Sequence, residues 1–205
     1  PSWADAEARP GWIRLRGRQG PESLWDQSLL AQRITEHRAE AEVTVDAAPR
    51  TFGEAAGLLL RYGTSSYFSL DLTWAEPPGE PQRGQQWNGR GRVVLSLLTR
   101  HGDEVAQRAL VEVAAGSPVT LGADIDGCGA RFWFAQGGEK QLIGPVLDFS
   151  LLSDEAGSGP RFTGAVAAIH AQDLVDASFT ADFTGFRLRC WEPGTGADDG
   201  LPTSA

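Results

Sequence analysis

Alternation of apolar and polar side chains with a period of two is the feature that most limits the folds open to this chain. It is clearest in residues 12–18, 38–46 and 67–74, and it predicts strands that cover a core with one face only. Because Gly and Pro turns separate these stretches, the sequence predicts an antiparallel all-β protein. Further strands are expected at residues 57–62, 92–99, 119–126, 130–135, 162–170 and 179–188.

Two segments allow a helical interpretation. Residues 103–115 contain good helix formers throughout. The run Ala-Leu-Val-Glu-Val nevertheless sits between Gly-rich turns, so we favour a strand over residues 109–113. A short helical turn is expected over residues 149–152, where Asp148 can cap it and two leucines can close one end of a sandwich.

Size and charge limit the classes of partner. The chain has 205 residues, 41% of them hydrophobic, which is enough for one domain with one core. Its formal charge of -9 repels phosphate backbones and argues against nucleic acid. No apolar run reaches the roughly 18 to 20 residues of a membrane-spanning helix, so no membrane partner is expected.

The start of the chain carries no export signal, which favours a cytoplasmic location over secretion. Because the first residue is Pro1 and not Met, we interpret the chain as a fragment or a processed product. A leader could therefore have been removed upstream, and the location is only weakly constrained.

The cysteines and acidic turns give little support for a metal site. Cys128 and Cys190 lack C-x-x-C spacing and a nearby histidine pair. We expect two buried free thiols, with pairing left open in an oxidising compartment. Asp124, Asp126 and Gly127 resemble part of a calcium loop but lack its distal acidic ligand, so we expect a turn. No cofactor is predicted, and a structural calcium held by distant residues stays open.

A jelly-roll glycosidase would need two carboxylates about 5 to 10 Å apart on one strand face. Glu40 and Glu42, with Asp46 nearby, are the closest match. If the alternate residues 39, 41, 43 and 45 face the core, these carboxylates form the solvated face of the same strand. No catalytic residue is predicted among them.

The three histidines do not indicate a nucleophilic triad, since the chain has no Gly-x-Ser-x-Gly elbow. His37 and His101 adjoin turns, and we expect both to be solvated. His170 follows an apolar run, which favours a hydrogen-bonded histidine at a strand end over a catalytic base.

Seven Trp and nine Phe residues exceed what a core of this size needs. Trp87 lies in the Gly- and Pro-rich residues 76–91, which predict a long exposed loop, and Trp25 lies in a turn-like stretch. Exposed aromatic rings suit either sugar rings or a protein interface. The same side chains could equally cover the end of a sheet.

Nine sequence blocks, taken in order, carry a family resemblance. They are residues 10–18, 27–33, 56–58, 62–68, 143–148, 152–155, 162–165, 172–174 and 181–183. In this order they resemble the C-terminal domain of glycoside hydrolase family 43 β-xylosidases. The resemblance covers nearly all of residues 10–189, and it rests on the order of the blocks because no single block is diagnostic.

The resemblance implies a concanavalin A-like (jelly-roll) antiparallel β-sandwich, a single domain over residues 10–191. Residues 1–9 are predicted to be a linker from a missing upstream domain, and residues 192–205, with the same Gly- and Pro-rich character as residues 76–91, to be a flexible tail. In the family, the sandwich follows a five-bladed β-propeller that carries the catalytic carboxylates. Residues 153–163 match a loop that reaches the propeller and helps to close its xylose pocket.

Candidate site residues follow from these matches. Phe162 is placed to cover the pocket rim, and Arg161 replaces an aromatic residue of many relatives, where it could bond sugar hydroxyls. Trp87 could add a sugar platform. The candidates for substrate binding are Asp154, Arg161, Phe162 and Trp87, and those for an interface are Trp12 and Trp25.

The resemblance, together with the surplus of aromatic residues and the absence of a catalytic carboxylate pair, therefore implies a non-catalytic accessory domain that docks on a catalytic β-propeller and binds xylan or xylo-oligosaccharide. A purely structural interaction domain with exposed aromatic residues is the alternative. An independent jelly-roll hydrolase that uses Glu40 or Glu42 is the weakest hypothesis.

Overall fold

A computed structural model describes residues 3–76, 91–156 and 163–191 of the chain, and most of these residues lie in strands. One 3-10 helix, Phe149–Leu152, is also present in this part of the chain. The strands are β1 (Ala4–Asp5), β2 (Ile13–Arg16), β3 (Ser28–Arg33), β4 (Arg38–Ala47), β5 (Glu54–Gly63), β6 (Ser66–Ala75), β7 (Arg92–His101), β8 (Glu104–Glu112), β9 (Val119–Asp126), β10 (Gly129–Ala135), β11 (Gln141–Asp148), β12 (Val166–Asp173) and β13 (Thr180–Trp191).

The strands form two antiparallel sheets, which confirms the predicted β-sandwich. The first sheet has the order β1-β2-β13-β4-β9-β10-β11, and the second has the order β3-β12-β5-β6-β7-β8. Neighbours in space are often distant in the sequence, since β13 pairs with both β2 and β4. As a result, the first and the last strands of the described residues, β1 and β13, lie in the same sheet.

One continuous core fills the space between the sheets. Its largest fully buried side chains include Phe68 of the second sheet and Phe132 and Phe183 of the first. Burying side chains of this kind stabilises the fold by about 1.5 to 3 kcal/mol each. In β4, the predicted alternation is confirmed, because alternate residues 39, 41, 43 and 45 are buried.

Both segments with a helical interpretation have the predicted type of structure, but the strand predicted over residues 109–113 is longer and begins at Glu104. Residues 104–112 form β8 rather than a helix, because Gly102 with a φ of 62° closes a tight turn that pairs β8 with β7. The expected helical turn is present at Phe149–Leu152, and the Asp148 side chain accepts a hydrogen bond from the Ser150 amide.

Some expectations need correction. Residues 1–9 were predicted to be a linker, but Ala4 and Asp5 form β1 and pair with β2, and Trp3 packs against the core. The strand predicted over residues 162–170 begins at Val166 and runs to Asp173, so His170 lies inside it and not at its end. Residues 192–205, the predicted tail, lie outside the described residues.

The cysteines also differ from expectation. Both are free, but Cys128 is exposed and Cys190 is only partly buried. Cys128 was predicted to be buried, and it is exposed because it lies in the turn between β9 and β10, where Gly127 has a φ of 57°. None of the described segments is a helix of the length and hydropathy needed to cross a membrane.

Candidate binding site on the outer face of the second sheet

The outer face of the second sheet carries several polar side chains that are buried. In β6, Phe68, Leu70 and Leu72 face the core, so the alternate residues Ser69 and Asp71 project from the opposite face. Both of these polar side chains are buried. Polar groups that are buried on a sheet face need hydrogen-bond partners, and their presence marks this face as more than a solvated surface.

The side chains of this face line a cleft of about 370 Å³. This volume lies within the range of about 300 to 1,000 Å³ that is typical of small-molecule sites. The cleft crosses β12, β5, β6, β7 and β8. Its polar lining includes Ser69, Asp71, Thr73, Ser96, Gln107 and Gln172, and its aromatic lining is Phe52, Tyr67 and Trp74.

A buried His170–Asp71 pair lies at the floor of this face. The Nε2 atom of His170 is 2.6 Å from Oδ1 of Asp71, and their side chains are only 3% and 7% exposed. Since β5 separates β12 from β6, the two side chains meet across an intervening strand. The prediction that His170 is hydrogen-bonded is confirmed, and its partner comes from 99 residues away in the chain.

Gly57 allows this pair to form. It lies between the two residues, in register with His170 on one side and with Asp71 on the other. A Cβ atom at Gly57 would lie 2.0 Å from the carbonyl oxygen of Leu70 and 2.7 Å from Oδ1 of Asp71. The absence of a side chain therefore opens the space that the His170–Asp71 pair occupies.

The 19–27 loop forms one wall beside the cleft. The side-chain amide of Gln27 donates a hydrogen bond to the Pro21 carbonyl at 2.9 Å, and Pro21 lines the cleft. Nη1 of Arg61, on β5, donates to Oε1 of Gln27 at 3.2 Å. The loop presents Leu24 and Trp25, which are 76% and 75% exposed. An ordered loop thus holds two large apolar side chains in solvent.

Burial shifts the pKa values of two groups on this face. It lowers the pKa of Arg61, whose Nε atom is buried without a hydrogen-bond partner in the described part of the chain. Burial also raises the pKa of the Tyr67 hydroxyl. Both shifts follow from the burial of these groups, which disfavours their charged forms.

Asp154 lies at one end of the second sheet, away from the cleft. Its Oδ1 atom accepts a hydrogen bond from the hydroxyl of Tyr62, close to the end of β5. Asp154 also lines a shallow depression of about 480 Å³, together with Thr35, His37 and Ser150. The tyrosine fixes the start of the 153–163 segment against the sandwich.

Of the four residues predicted to bind substrate, Asp154 is the one that lies in the described part of the chain. Phe162, Arg161 and Trp87 lie outside the described residues.

The two candidate interface residues have different surroundings. Trp25 is exposed on the 19–27 loop at the same end of the second sheet as Phe52. Trp12 is partly buried, and the Arg9 guanidinium lies 3.9 Å from the centre of its ring. This cation–π contact ties Trp12 to the first sheet, far from the second-sheet cleft.

The residues considered for catalysis and metal binding occupy solvated or structural positions. Glu40 and Glu42 lie on the outer face of β4, and Arg187 forms an ion pair with Glu42. Asp124 accepts a hydrogen bond from the Trp133 indole at 3.1 Å. Within residues 3–76, 91–156 and 163–191, no cluster of three His, Cys, Asp or Glu side chains could hold a metal ion.

Sequence reasoning missed the cleft and its His170–Asp71 pair. Two signals were available in the sequence. The polar residues Ser69, Asp71 and Thr73 occupy alternate positions of one predicted strand, and Gly57 interrupts an apolar stretch in another. Alternation alone predicts that such polar residues are solvated. Only the pairing of strands distant in sequence shows that they are buried.

Comparisons with known proteins are consistent with this architecture. The profile of the family described as beta xylosidase C-terminal concanavalin A-like domain matches residues 1–189. The xylan 1,3-beta-xylosidase of Vibrio sp is 28% identical over 187 residues, which are 90% of this chain and 32% of that protein. The xylosidase/arabinosidase 43B of Humicola insolens is 29% identical over 189 residues, which are 87% of this chain and 33% of that protein.

A solved structure gives the same result. The crystal structure of xylan beta-1,4-xylosidase from Bacillus halodurans C-125 matches with a TM-score of 0.82 and 29% identity, over 91% of this chain and 34% of that one. The predicted concanavalin A-like sandwich is therefore confirmed. The chain spans about a third of the length of the relatives it matches.

Proposed function

Since the chain belongs to the family of β-xylosidase C-terminal concanavalin A-like domains, we propose that it acts as a non-catalytic accessory domain of a family 43 xylosidase. It docks on a catalytic β-propeller, helps to close the active site and binds xylan or xylo-oligosaccharide with an affinity of its own. The observation that carries the proposal is the family match over residues 1–189, in relatives that are named as xylosidases and are about three times longer.

The exposed apolar side chains support docking. Leu24 and Trp25 project from a loop whose conformation is held by the Gln27 side chain. Covering a large apolar side chain stabilises a complex by about 1.5 to 3 kcal/mol. Because the loop is already ordered, little conformational entropy is lost when a propeller covers it.

The Tyr62–Asp154 hydrogen bond supports a role in closing the active site. It fixes the first residues of the segment that resembles the pocket-closing loop of the family. In the full-length enzyme, Asp154→Ala should raise the KM for an aryl-xyloside about threefold to tenfold, which corresponds to the loss of one hydrogen bond. Glu155→Ala, at the exposed neighbouring residue, is the matched control. Equal KM values for both variants and the wild type would remove the closing role.

The sugar affinity is tested with the 205-residue chain alone. Titration with xylohexaose should show a dissociation constant between about 1 μM and 1 mM, because a shallow protein surface buries few sugar rings. The chain should also be retained on insoluble xylan. If neither heat nor retention is observed, the affinity part of the proposal is wrong.

The purely structural alternative makes a different prediction. Its exposed aromatic residues would be an uncovered interface, so the isolated chain would self-associate, and adding the propeller would dissociate it. Sedimentation of the chain with and without the propeller measures this. The structural alternative would be favoured if the propeller dissociates the self-associated chain and if titration with xylohexaose gives no heat.

A further inference from the structure

The cleft on the outer face of the second sheet carries no positive charge in the described part of its lining. Asp71 and Glu76 both line it, and none of the described lining residues is Lys or Arg. An anionic ligand would meet carboxylates there without a compensating cation, which disfavours phosphates and acidic sugars. A neutral ligand rich in hydroxyl groups meets no such penalty.

The polar groups of the cleft suit the hydroxyl groups of a sugar. The Ser69 and Ser96 hydroxyls can each donate and accept, and the Gln107 amide can do both with separate atoms. Gln107 Nε2 donates to Ser96 Oγ at 3.2 Å, which links two strands of the lining. The carboxylate of Asp71 adds a strong acceptor, because hydrogen bonds to a charged oxygen exceed neutral ones in strength.

The acceptor is fixed before any ligand arrives. His170 contacts one oxygen of Asp71 at 2.6 Å, and the pair is buried above Gly57. A side chain held in this way loses little rotamer entropy when a ligand binds. The aromatic residues Tyr67, Trp74 and Phe52 line the same cleft, and such rings can contact the CH faces of a sugar.

We infer that this cleft binds a neutral xylo-oligosaccharide, with Asp71 as the acceptor of sugar hydroxyl hydrogens and with Ser69, Ser96 and Gln107 as further partners. The inference rests on the proposed xylan affinity and adds the place where the sugar lies. That place is the face of the second sheet, and not the end of the sheet where Asp154 and Tyr62 meet.

The test combines calorimetry with mapping by ¹H–¹⁵N NMR, with xylohexaose as the probe and the 205-residue chain as the protein. Asp71→Asn, which keeps the size of the side chain, should weaken binding about tenfold, and Gln107→Ala should weaken it about threefold. Gln107 is exposed, so its replacement does not endanger folding. Gln141→Ala is the matched control, because Gln141 is an exposed strand residue of the first sheet.

Amide shifts should concentrate in β6, β7 and β8, and Gln141→Ala should bind xylohexaose like the wild type. If xylohexaose binds the wild type but shifts residues near Asp154, with Asp71→Asn and Gln107→Ala unaffected, the inference is wrong and the proposed affinity stands. If the wild type does not bind at all, both fail.

Discussion

The two outer faces of the sandwich come from the same alternation but hold different polar groups. On the first sheet, Arg14, Asp182 and Asp46 form a row across β2, β13 and β4. Arg14 donates two hydrogen bonds to the Asp182 carboxylate, at 2.6 and 2.8 Å, and Arg9 contacts Asp46 at 2.7 Å. The two arginines are more than a third exposed, whereas the Asp182 side chain that both of them contact is only 9% exposed, so this row is a partly buried ion-pair network with its cations at the surface.

On the second sheet, the corresponding row contains no arginine. His170, Gly57, Asp71 and Ser96 follow one another across β12, β5, β6 and β7. The polar side chains of this row are buried, and a glycine replaces the side chain at its centre. The comparison teaches that period-two alternation predicts which residues leave the core, but not whether water or protein surrounds them.

The largest expected loss of stability comes from adding a side chain at Gly57, the position in the second-sheet row that has none. Gly57→Ala should destabilise the chain by about 3 kcal/mol or more, because the new Cβ would meet the backbone of β6, which cannot move cheaply. Gly63→Ala is the matched control in the same strand, since a Cβ there has nothing within 4 Å. Urea unfolding measures both, and equal stabilities would show that the row is not tightly packed.

Breaking the buried pair should have the next largest effect. His170→Leu leaves the Asp71 carboxyl buried without its partner, which should cost about 1 to 3 kcal/mol. His101→Leu, at an exposed histidine of β7, should change the free energy of unfolding by less than about 0.5 kcal/mol. If His170→Leu lowers the free energy of unfolding no more than His101→Leu does, the assigned His170–Asp71 pair is contradicted.

The ion-pair row of the first sheet should contribute less to the free energy of unfolding than the His170–Asp71 pair, and its contribution should depend on pH. The hydrogen bonds from Arg14 lower the pKa of Asp182, so its charged form favours the folded state. The contribution is present above the unfolded pKa of about 4 and is lost as the pH falls through the lower folded value. Asp182→Asn should therefore cost about 1 kcal/mol at pH 7.

The difference in the free energy of unfolding between Asp182→Asn and the wild type should become smaller at acid pH. Asp103→Asn, at an exposed turn residue, should follow the wild type at every pH. A difference in the free energy of unfolding that does not depend on pH would show that Asp182 acts through packing and not through charge.

The smallest effect is expected at the solvated carboxylates of β4. Glu40→Gln combined with Glu42→Gln should change stability by less than about 0.5 kcal/mol, because exposed ion pairs contribute little. The double variant should leave xyloside hydrolysis by the full-length enzyme unchanged. Loss of turnover would instead support the hydrolase hypothesis, in which these residues are catalytic.

Strand positions were predictable wherever the alternation was regular. In β4 and β9 the predicted bounds are within one residue of those found, because both strands are central in the first sheet and face the core on one side. The edge strands β3 and β11 were missed as strands. β11 contains Gly144, with a φ of 72°, followed by Pro145, and its pairing with β10 is irregular.

The candidate site was less predictable than the fold. His170 and Asp71 lie 99 residues apart, and nothing local in either segment indicates that the two side chains meet. Gly57 looks like any strand glycine until the register places it between them. The exposure of Trp25 was predictable, because a turn-like stretch with Gly20 and Pro21 favours the surface.

Calorimetric titration of the 205-residue chain with xylohexaose, with chromatography of the sugar afterwards, tests the central claim most directly. We predict saturable heat, a dissociation constant between about 1 μM and 1 mM, and recovery of intact xylohexaose. The absence of heat, or the release of xylose in proportion to the amount of chain, would contradict the account of a sugar-binding domain without catalytic activity.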